Sequence, residues 1–201
     1  MDIDNVKEEL ARHGGIIVHC SRPGRNGEFG EPKPLYPDDL KQTIRDLAIG
    51  GVRPVSCSVV WPKHQDTFGD VGIVVCPRTL SDIVEMHTGD AGYSEELGGL
   101  GNPPSLKGLA DTFAHSEGHN EWVLTAADTL GLFVISEHSI EVARKIDLPD
   151  GLTEDERALY GEPIMACSIS LEEIAADFPS LPIFGFVAGE LVKLVLARTT
   201  T

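Results

Sequence analysis

Glu121 stands at the start of an apolar, β-prone segment, Trp122-Val123-Leu124, and follows His119 and Asn120. A carboxylate loses much of its hydration at the end of a buried strand, so it occurs there mainly where a partner or a ligand compensates its charge. We therefore predict that Glu121 belongs to a functional site.

Two other predicted strands carry polar side chains suited to ligand binding. His19 lies in the first apolar run of the chain, and Arg22 follows this run. Ser56 and Ser58 flank Cys57 in a later β-compatible run. Because side chains alternate along a strand, the two hydroxyls share one face. Structural roles stay open for these residues, since a strand histidine is often hydrogen-bonded in a core and strand serines often bond to a neighbouring strand.

The order of these groups along the chain resembles that of the mono-ADP-ribosyltransferases. That family carries an Arg or His on its first core strand, a Ser-Thr-Ser-like strand and a Glu on a later strand. In the family, the first group holds the phosphates or the nicotinamide ribose of NAD, and the serine strand shapes the nicotinamide pocket. The Glu binds the ribose and stabilises the oxocarbenium ion that forms as nicotinamide leaves. The resemblance covers roughly residues 15–146.

The resemblance implies a glycosyltransferase-class enzyme that uses NAD as the donor of ADP-ribose. Carried over by position, it assigns catalysis to Glu121, NAD binding to His19, Arg22, Ser56 and Ser58, and positions near the acceptor to His119 and Asn120. The acceptor is left open as a protein side chain, a nucleic-acid base or a small molecule, and a toxin or defence role is typical of the family. The chain departs from the family at His119, where a Gln or Glu is frequent, and at Cys57, the middle residue of the serine strand.

Hydrophobic periodicity predicts the elements that position these residues. Helices are predicted at 3–12, 37–49, 105–114, 139–146, 170–178 and 190–198, with one or two helical turns at 81–86. Strands are predicted at 16–20, 52–61, 71–76, 121–124 and 130–135, and a strand or a buried connector is predicted at 183–187. The strands at 121–124 and 130–135 are expected to pair through a short hairpin loop at 125–129. Loops are predicted at 21–34 and 87–104.

These elements favour an α+β fold with a mixed, mainly antiparallel sheet core and flanking helices, of the ADP-ribosyltransferase-like kind. The polar, turn-rich segment 147–161 suggests a boundary. We therefore predict a catalytic core at 1–146 and a C-terminal extension at 147–201 that packs on the core, in one compact domain overall.

The formal net charge of −16 disfavours binding to bulk duplex nucleic acid by counterion release. It also supports an alternative hypothesis, a non-catalytic acidic interaction protein, such as an immunity or anti-defence factor, that binds a basic partner. The enzyme hypothesis requires His19, Ser56 and Glu121 to converge on one pocket. The binding hypothesis requires a broad acidic face without such a pocket.

The remaining sequence features concern compartment and metals. The four cysteines lie far apart, and three lie in apolar runs, which is typical of a reducing, cytoplasmic compartment. No secretory signal or membrane span is predicted, because the first residues are acidic and the apolar stretch 181–197 is interrupted. His115 and His119 differ from the zinc-protease motif in the position of the intervening Glu, so no metal is predicted. A metal hydrolase that uses these two histidines is the third hypothesis.

Overall fold

The computed structural model describes residues 1–21, 35–89, 102–115, 118–135, 140–145, 150–156 and 164–194. The helices are α1 (Ile3–His13), α2 (Asp38–Ile49), α3 (Leu106–His115) and α4 (Leu171–Asp177), with a 3₁₀ turn at Leu80–Asp82. The strands are β1 (Ile16–Ser21), β2 (Val55–Val60), β3 (Val71–Cys76), β4 (Ile83–His87), β5 (Glu121–Leu124), β6 (Asp128–Val134), β7 (Ile140–Lys145), β8 (Ile164–Ile169), β9 (Ile183–Val187) and β10 (Glu190–Leu194). None of the described helices is long and apolar enough to cross a bilayer.

The described strands form an eight-stranded sheet in the order β10-β9-β6-β3-β1-β2-β5-β4 and a separate pair, β7 and β8. Neighbouring strands are antiparallel except β6 and β9, which are parallel. The predicted class, α+β with a mainly antiparallel sheet and flanking helices, is confirmed.

The sheet has two faces that differ in what covers them. Helix α2 packs over β1, β3 and β6, and buries Leu40 and Leu47 against the larger apolar cluster. We call this side the helix face. The opposite side, the far face, carries a smaller cluster formed by Val18, Cys20, Val60, Val74 and Phe133. Because side chains alternate along each strand, the face of any strand residue follows from its register.

Helix α3 anchors β5, the strand that begins with Glu121. Trp122 is fully buried on the helix face, and its indole Nε1 donates a hydrogen bond of 3.1 Å to Thr112 Oγ1 of α3. Burying a large aromatic side chain contributes about 1.5–3 kcal/mol, and the bonded indole leaves no unsatisfied donor. The start of β5 is therefore held rigidly.

The two helices predicted at 139–146 and 190–198 are wrong over the described residues, which form β7 and β10 instead. In β7, Ile140 and Val142 are buried whereas Glu141 is exposed, which is the period-two pattern of a strand. Short apolar runs of this kind fit either periodicity, and pairing with a neighbouring strand decides between them. The segment at 81–86 is helical only in its first residues and continues as β4, and β8 was not predicted.

The predicted hairpin between 121–124 and 130–135 is also wrong. Strand β5 pairs with β2 and β4, whereas β6 pairs with β3 and β9. The connection between them is tied to the C-terminal end of α2, because Ala127 N donates to Leu47 O at 3.1 Å and Gly51 N donates to Thr125 O at 2.9 Å. The buried Ala126 and Ala127 therefore carry the chain across the sheet rather than back along β5.

Strands from both predicted parts of the chain share the fold. Strands β9 and β10 extend the sheet built by β1–β6, and β8 pairs with β7 across the proposed boundary after residue 146. Of the predicted loops, 22–34 and 90–101 lie outside the described residues, as do 147–149 and 157–161 of the proposed boundary.

Candidate functional site

Register brings the predicted catalytic carboxylate and the serine strand together. Ser56 pairs with Val123 across β2 and β5, and the same antiparallel register places Ser58 opposite Glu121. Val18 pairs with Ser58 across β1 and β2, which assigns all these side chains to the far face. The structure therefore places Ser56, Ser58 and Glu121 on one face of two neighbouring strands.

Strand β2 is largely buried where it carries the two serines. Ser58 is only 3% exposed. The Ser56 hydroxyl oxygen is buried and has no hydrogen-bond partner among the described residues. An unsatisfied buried polar group costs about 1–3 kcal/mol, and a ligand that hydrogen-bonds to it recovers this cost. The Ser56 hydroxyl is therefore suited to donate a hydrogen bond to a bound molecule or to accept one from it.

Strand β4 adds a second carboxylate that sequence reasoning missed. His87 pairs directly with Glu121, and Glu85 pairs with Val123, so both lie on the far face. His87 is 5% exposed, and its Nε2 lies 2.7 Å from Glu85 Oε2. The spacing of two between Glu85 and His87 would have indicated a shared strand face, but the segment was predicted to be helical.

The other side of the His87 ring is held by Asn102. Asn102 Nδ2 lies 3.2 Å from His87 Nδ1, and Met86 N donates to Asn102 O at 2.8 Å. Both ring nitrogens thus have partners, and the imidazole is held in one orientation between Glu85 and Asn102. We call Glu85, His87 and Asn102 the β4 clamp.

An irregularity in β4 determines which way the clamp faces. The register between β4 and β5 shifts between Ile83 and Glu85, because Ile83 pairs with Leu124 and Glu85 pairs with Val123. One extra residue, Val84, is accommodated on β4. A bulge of this kind re-aims the side chains that follow it. Without it, Glu85 would pair with Trp122 and face the core.

His19 lies on the opposite side of the sheet from Glu121. It pairs with Ile73, a residue of the helix-face core. His19 Nδ1 lies 2.7 Å from Ser56 O, and Nε2 lies 3.5 Å from Thr43 Oγ1 of α2. His19 therefore does not converge with Ser56 Oγ and Glu121 on one surface. It contacts the backbone of β2 instead. The other first-strand candidate, Arg22, lies outside the described residues.

The His19 side of the sheet carries an ion pair whose carboxylate is buried. Arg53 Nη2 donates to Thr43 Oγ1 at 3.0 Å, and Arg53 Nε donates to Asp46 Oδ2 at 2.7 Å. The Asp46 side chain is 5% exposed. The hydrogen bond from Arg53 holds the pKa of the Asp46 carboxyl below its ordinary value, with a smaller contribution from Gln42. This pair ties α2 to the segment that leads into β2.

We expect Asp46→Asn to lower the free energy of unfolding at neutral pH by about 1.5–3 kcal/mol, because a charge-assisted hydrogen bond is lost. A carboxyl whose folded pKa is depressed stabilises the fold above its unfolded pKa and loses this effect as the pH falls through the folded pKa. The difference between variant and native chain in urea unfolding should therefore begin to shrink below about pH 4, near the ordinary pKa of an aspartate, and disappear only below the depressed folded pKa.

Asp128→Asn provides the matched control, because Asp128 pairs with Arg78 but is 64% exposed. An exposed pair contributes less than about 1 kcal/mol. Burial raises the pKa of Asp39, so its effect on stability has the opposite dependence on pH. Asp39 is present in the native chain and in both variants, so this effect cancels in the comparison. Equal losses in Asp46→Asn and Asp128→Asn would contradict the importance of the buried pair.

Asn120 has a structural role in the described fold. It is fully buried, its Oδ1 accepts from Val59 N at 2.7 Å, and its Nδ2 donates to Val59 O at 2.8 Å. The side-chain amide thus pairs with β2 as a strand backbone would. It extends the β2–β5 contact just before Glu121 and fixes the position at which β5 begins.

His119 lies against an aromatic side chain. Its ring centroid is 3.7 Å from that of Phe68, with an interplanar angle of 56°. His64 stacks on Trp61 at 4.4 Å, and its pKa is lowered first by burial and further by the nearby His119, against an opposing effect of Asp66.

Two of the cysteines, Cys20 and Cys57, are not suited to nucleophilic chemistry. All four are free thiols. Burial raises the pKa of Cys20 to about 12 and also raises that of Cys57, so both stay protonated at neutral pH. Cys57, the middle residue of the serine strand, pairs with Trp122 in the helix-face core.

Among the described residues, no group of three or more His, Cys, Asp or Glu side chains is arranged to hold a metal ion. The side chain of His115 lies outside the described part of the structure. A separate apolar concavity between α1 and β3 is lined by residues such as Val6, Ile16 and Leu130, and contains no carboxylate.

Comparisons with protein-family models, with curated protein sequences and with solved structures find no match to this chain. The functional assignment therefore depends on the arrangement of the site itself.

Proposed function

We propose that this chain is an NAD-dependent mono-ADP-ribosyltransferase that uses Glu121 as its catalytic carboxylate. The observation that carries the proposal is the shared face of Glu121, Ser58 and Ser56 on two paired strands. Glu121 comes from a part of the sequence distant from the two serines, so its common orientation with them depends on the fold and does not follow from local spacing.

Each residue has a chemical task in this proposal. Glu121 lies beside the nicotinamide ribose and stabilises the oxocarbenium ion as the bond from C1′ to the nicotinamide nitrogen breaks. Nicotinamide leaves as a neutral molecule, since the pyridinium nitrogen takes the electron pair of that bond. Ser56, whose buried hydroxyl has no partner among the described residues, hydrogen-bonds to the amide of nicotinamide. The acceptor then attacks C1′ from the opposite side.

The requirement that His19, Ser56 and Glu121 converge is met by Ser56 and Glu121 but not by His19, so the proposal gives His19 a different role. Its ring lies on the helix face and hydrogen-bonds to the Ser56 carbonyl oxygen. In the proposed enzyme His19 is a positioning residue for β2 and does not touch the dinucleotide. Contacts to the phosphates of NAD then fall to other cations, of which Arg22 is the sequence candidate.

The alternative, an acidic interaction protein that binds a basic partner, is favoured by the net charge of −16. Such a protein would present exposed carboxylates, as α4 does with Glu172 and Glu173. It would have no use for a buried serine hydroxyl beside a carboxylate. The transferase should release nicotinamide from NAD, whereas the binding protein should leave NAD unchanged.

The test is incubation of the native chain with NAD labelled in the adenylate part, together with a cell lysate as a source of protein, nucleic-acid and small-molecule acceptors. We expect nicotinamide release and transfer of label to one acceptor class. Absence of both, in a chain whose circular dichroism and cooperative unfolding show that it is folded, would contradict the transferase and favour the binding protein.

A further inference from the structure

Glu85 gives the site a second carboxylate on the same face as Glu121. Glu85 pairs with Val123 and Glu121 pairs with His87, so the two carboxylates are diagonal neighbours across β4 and β5. Diagonal residues of an antiparallel pair lie about 7–8 Å apart. Both carboxylates therefore border the same small area of the far face.

Glutamate side chains at these two positions are long enough to hold their carboxyl groups at the separation that inversion at an anomeric carbon requires. In enzymes that transfer a glycosyl group with inversion, two carboxyl groups stand about 6.5–9.5 Å apart, which leaves room for a nucleophile between the sugar and the base. One group stabilises or assists departure on one side of the ring, and the other takes a proton from the nucleophile on the other side.

The β4 clamp equips Glu85 for the second of these tasks. His87 is 5% exposed and lies 2.7 Å from Glu85 Oε2, whereas the Glu85 side chain keeps 32% of its surface exposed. The imidazole holds one oxygen of the carboxylate in place, and the exposed part of the side chain is accessible to an acceptor. The bulge at Val84 is what directs Glu85 to this face.

We propose that Glu85 is the base that deprotonates the acceptor nucleophile, with His87 as the residue that positions it. This inference rests on the proposed function. In the step, the bond from C1′ to nicotinamide breaks and nicotinamide takes its electron pair. A bond forms between C1′ and the acceptor oxygen or nitrogen, and the acceptor proton passes to Glu85, which later releases it to solvent.

A base at Glu85 also defines the class of acceptor. A base is required only by an acceptor that attacks from a protonated, neutral group, such as a hydroxyl or an amide nitrogen. An anionic nucleophile has no proton to lose. Water and methanol therefore serve as probes that need Glu85, and azide serves as a probe that does not.

The experiment compares Glu85→Ala and Glu85→Gln with the native chain, using NAD in the presence of methanol or azide. Product configuration at C1′ is determined by NMR. We expect Glu85→Ala to lower hydrolysis and methanolysis by a factor on the order of 10²–10⁴. Azide should restore turnover and give the inverted glycosyl azide. Glu85→Gln retains a hydrogen-bond acceptor for His87 and should behave in the same way, which separates loss of the base from loss of the fold.

Glu141→Ala is the matched control, because Glu141 is an exposed glutamate on β7. It should retain native rates. His119→Ala is measured in parallel, since His119 precedes Glu121 by two residues and is the competing base. Azide rescue in His119→Ala, without rescue in the Glu85 variants, would overturn the assignment to Glu85.

The remaining outcomes are equally decisive. Native rates of hydrolysis and methanolysis in both Glu85 variants would overturn the inference and leave the transferase standing. Inactive Glu85 variants that azide does not restore would also overturn it, because the loss would not be that of a base. Failure of the native chain to release nicotinamide with any acceptor would overturn the proposed function and the inference together.

Discussion

Replacing Glu121 with Gln is expected to lower the rate of nicotinamide release from NAD by a factor on the order of a hundred to a thousand. The substitution retains the size of the side chain and removes its charge, so the oxocarbenium ion loses the anion that stabilises it. Loss of one preorganised electrostatic contact in an active site costs about that factor in kcat. The measurement is steady-state nicotinamide release at saturating NAD.

The affinity for NAD should change far less than kcat, because the charge of Glu121 acts mainly on the transition state. Glu141→Gln removes an exposed carboxylate elsewhere and should leave both parameters at native values. A Glu121→Gln variant with native kcat would remove Glu121 from the mechanism, whatever the activity of the chain proves to be.

Asn120→Ala is expected to lower the free energy of unfolding by about 2–5 kcal/mol. The substitution leaves Val59 N and Val59 O, both bonded by the Asn120 amide, without partners at a fully buried position. Each unsatisfied buried backbone group costs about 1–3 kcal/mol. Urea-induced unfolding followed by tryptophan fluorescence measures the loss.

Asn120→Asp separates the two hydrogen bonds. The carboxylate still accepts from Val59 N but cannot donate to Val59 O, and it introduces a buried charge. We therefore expect Asn120→Asp to be at least as destabilising as Asn120→Ala at neutral pH. A loss under about 0.5 kcal/mol in both variants, the range of ordinary surface substitutions, would show that the amide is dispensable to the fold.

The strands that carry the serines and Glu121 were predictable because each is an apolar, β-branched run of adequate length. The common face of Ser56 and Ser58 also follows from period-two alternation. The face of Glu121 relative to the serines does not, because it depends on which residues pair across β2 and β5. For the same reason, the sequence could not show that His19 faces α2.

The β4 clamp escaped prediction for two physical reasons. Thr79 caps the turn that leads into segment 81–86 and Asp82 lies in that turn, which favours a helix, and a 3₁₀ turn does form at Leu80–Asp82. The later residues become a strand because β5 offers them an unpaired edge. The bulge at Val84 then sets the orientation of Glu85, and no local pattern in the sequence signals a bulge there.

Asn120, by contrast, was singled out by its position and proved to hold the backbone of β2.

The parallel pairing of β6 with β9 has a consequence for how the chain folds. Leu132 and Phe133 of β6 pair with Ile183 and Phe184, so about fifty residues must be drawn into a loop before this contact forms. Contacts between distant residues form slowly. During synthesis one edge of β6 therefore stays unpaired until β9 has been made. An exposed strand edge can pair with the strands of other chains. Pairing with β9 covers that edge, so the C-terminal strands reduce the tendency to aggregate, but only late in folding.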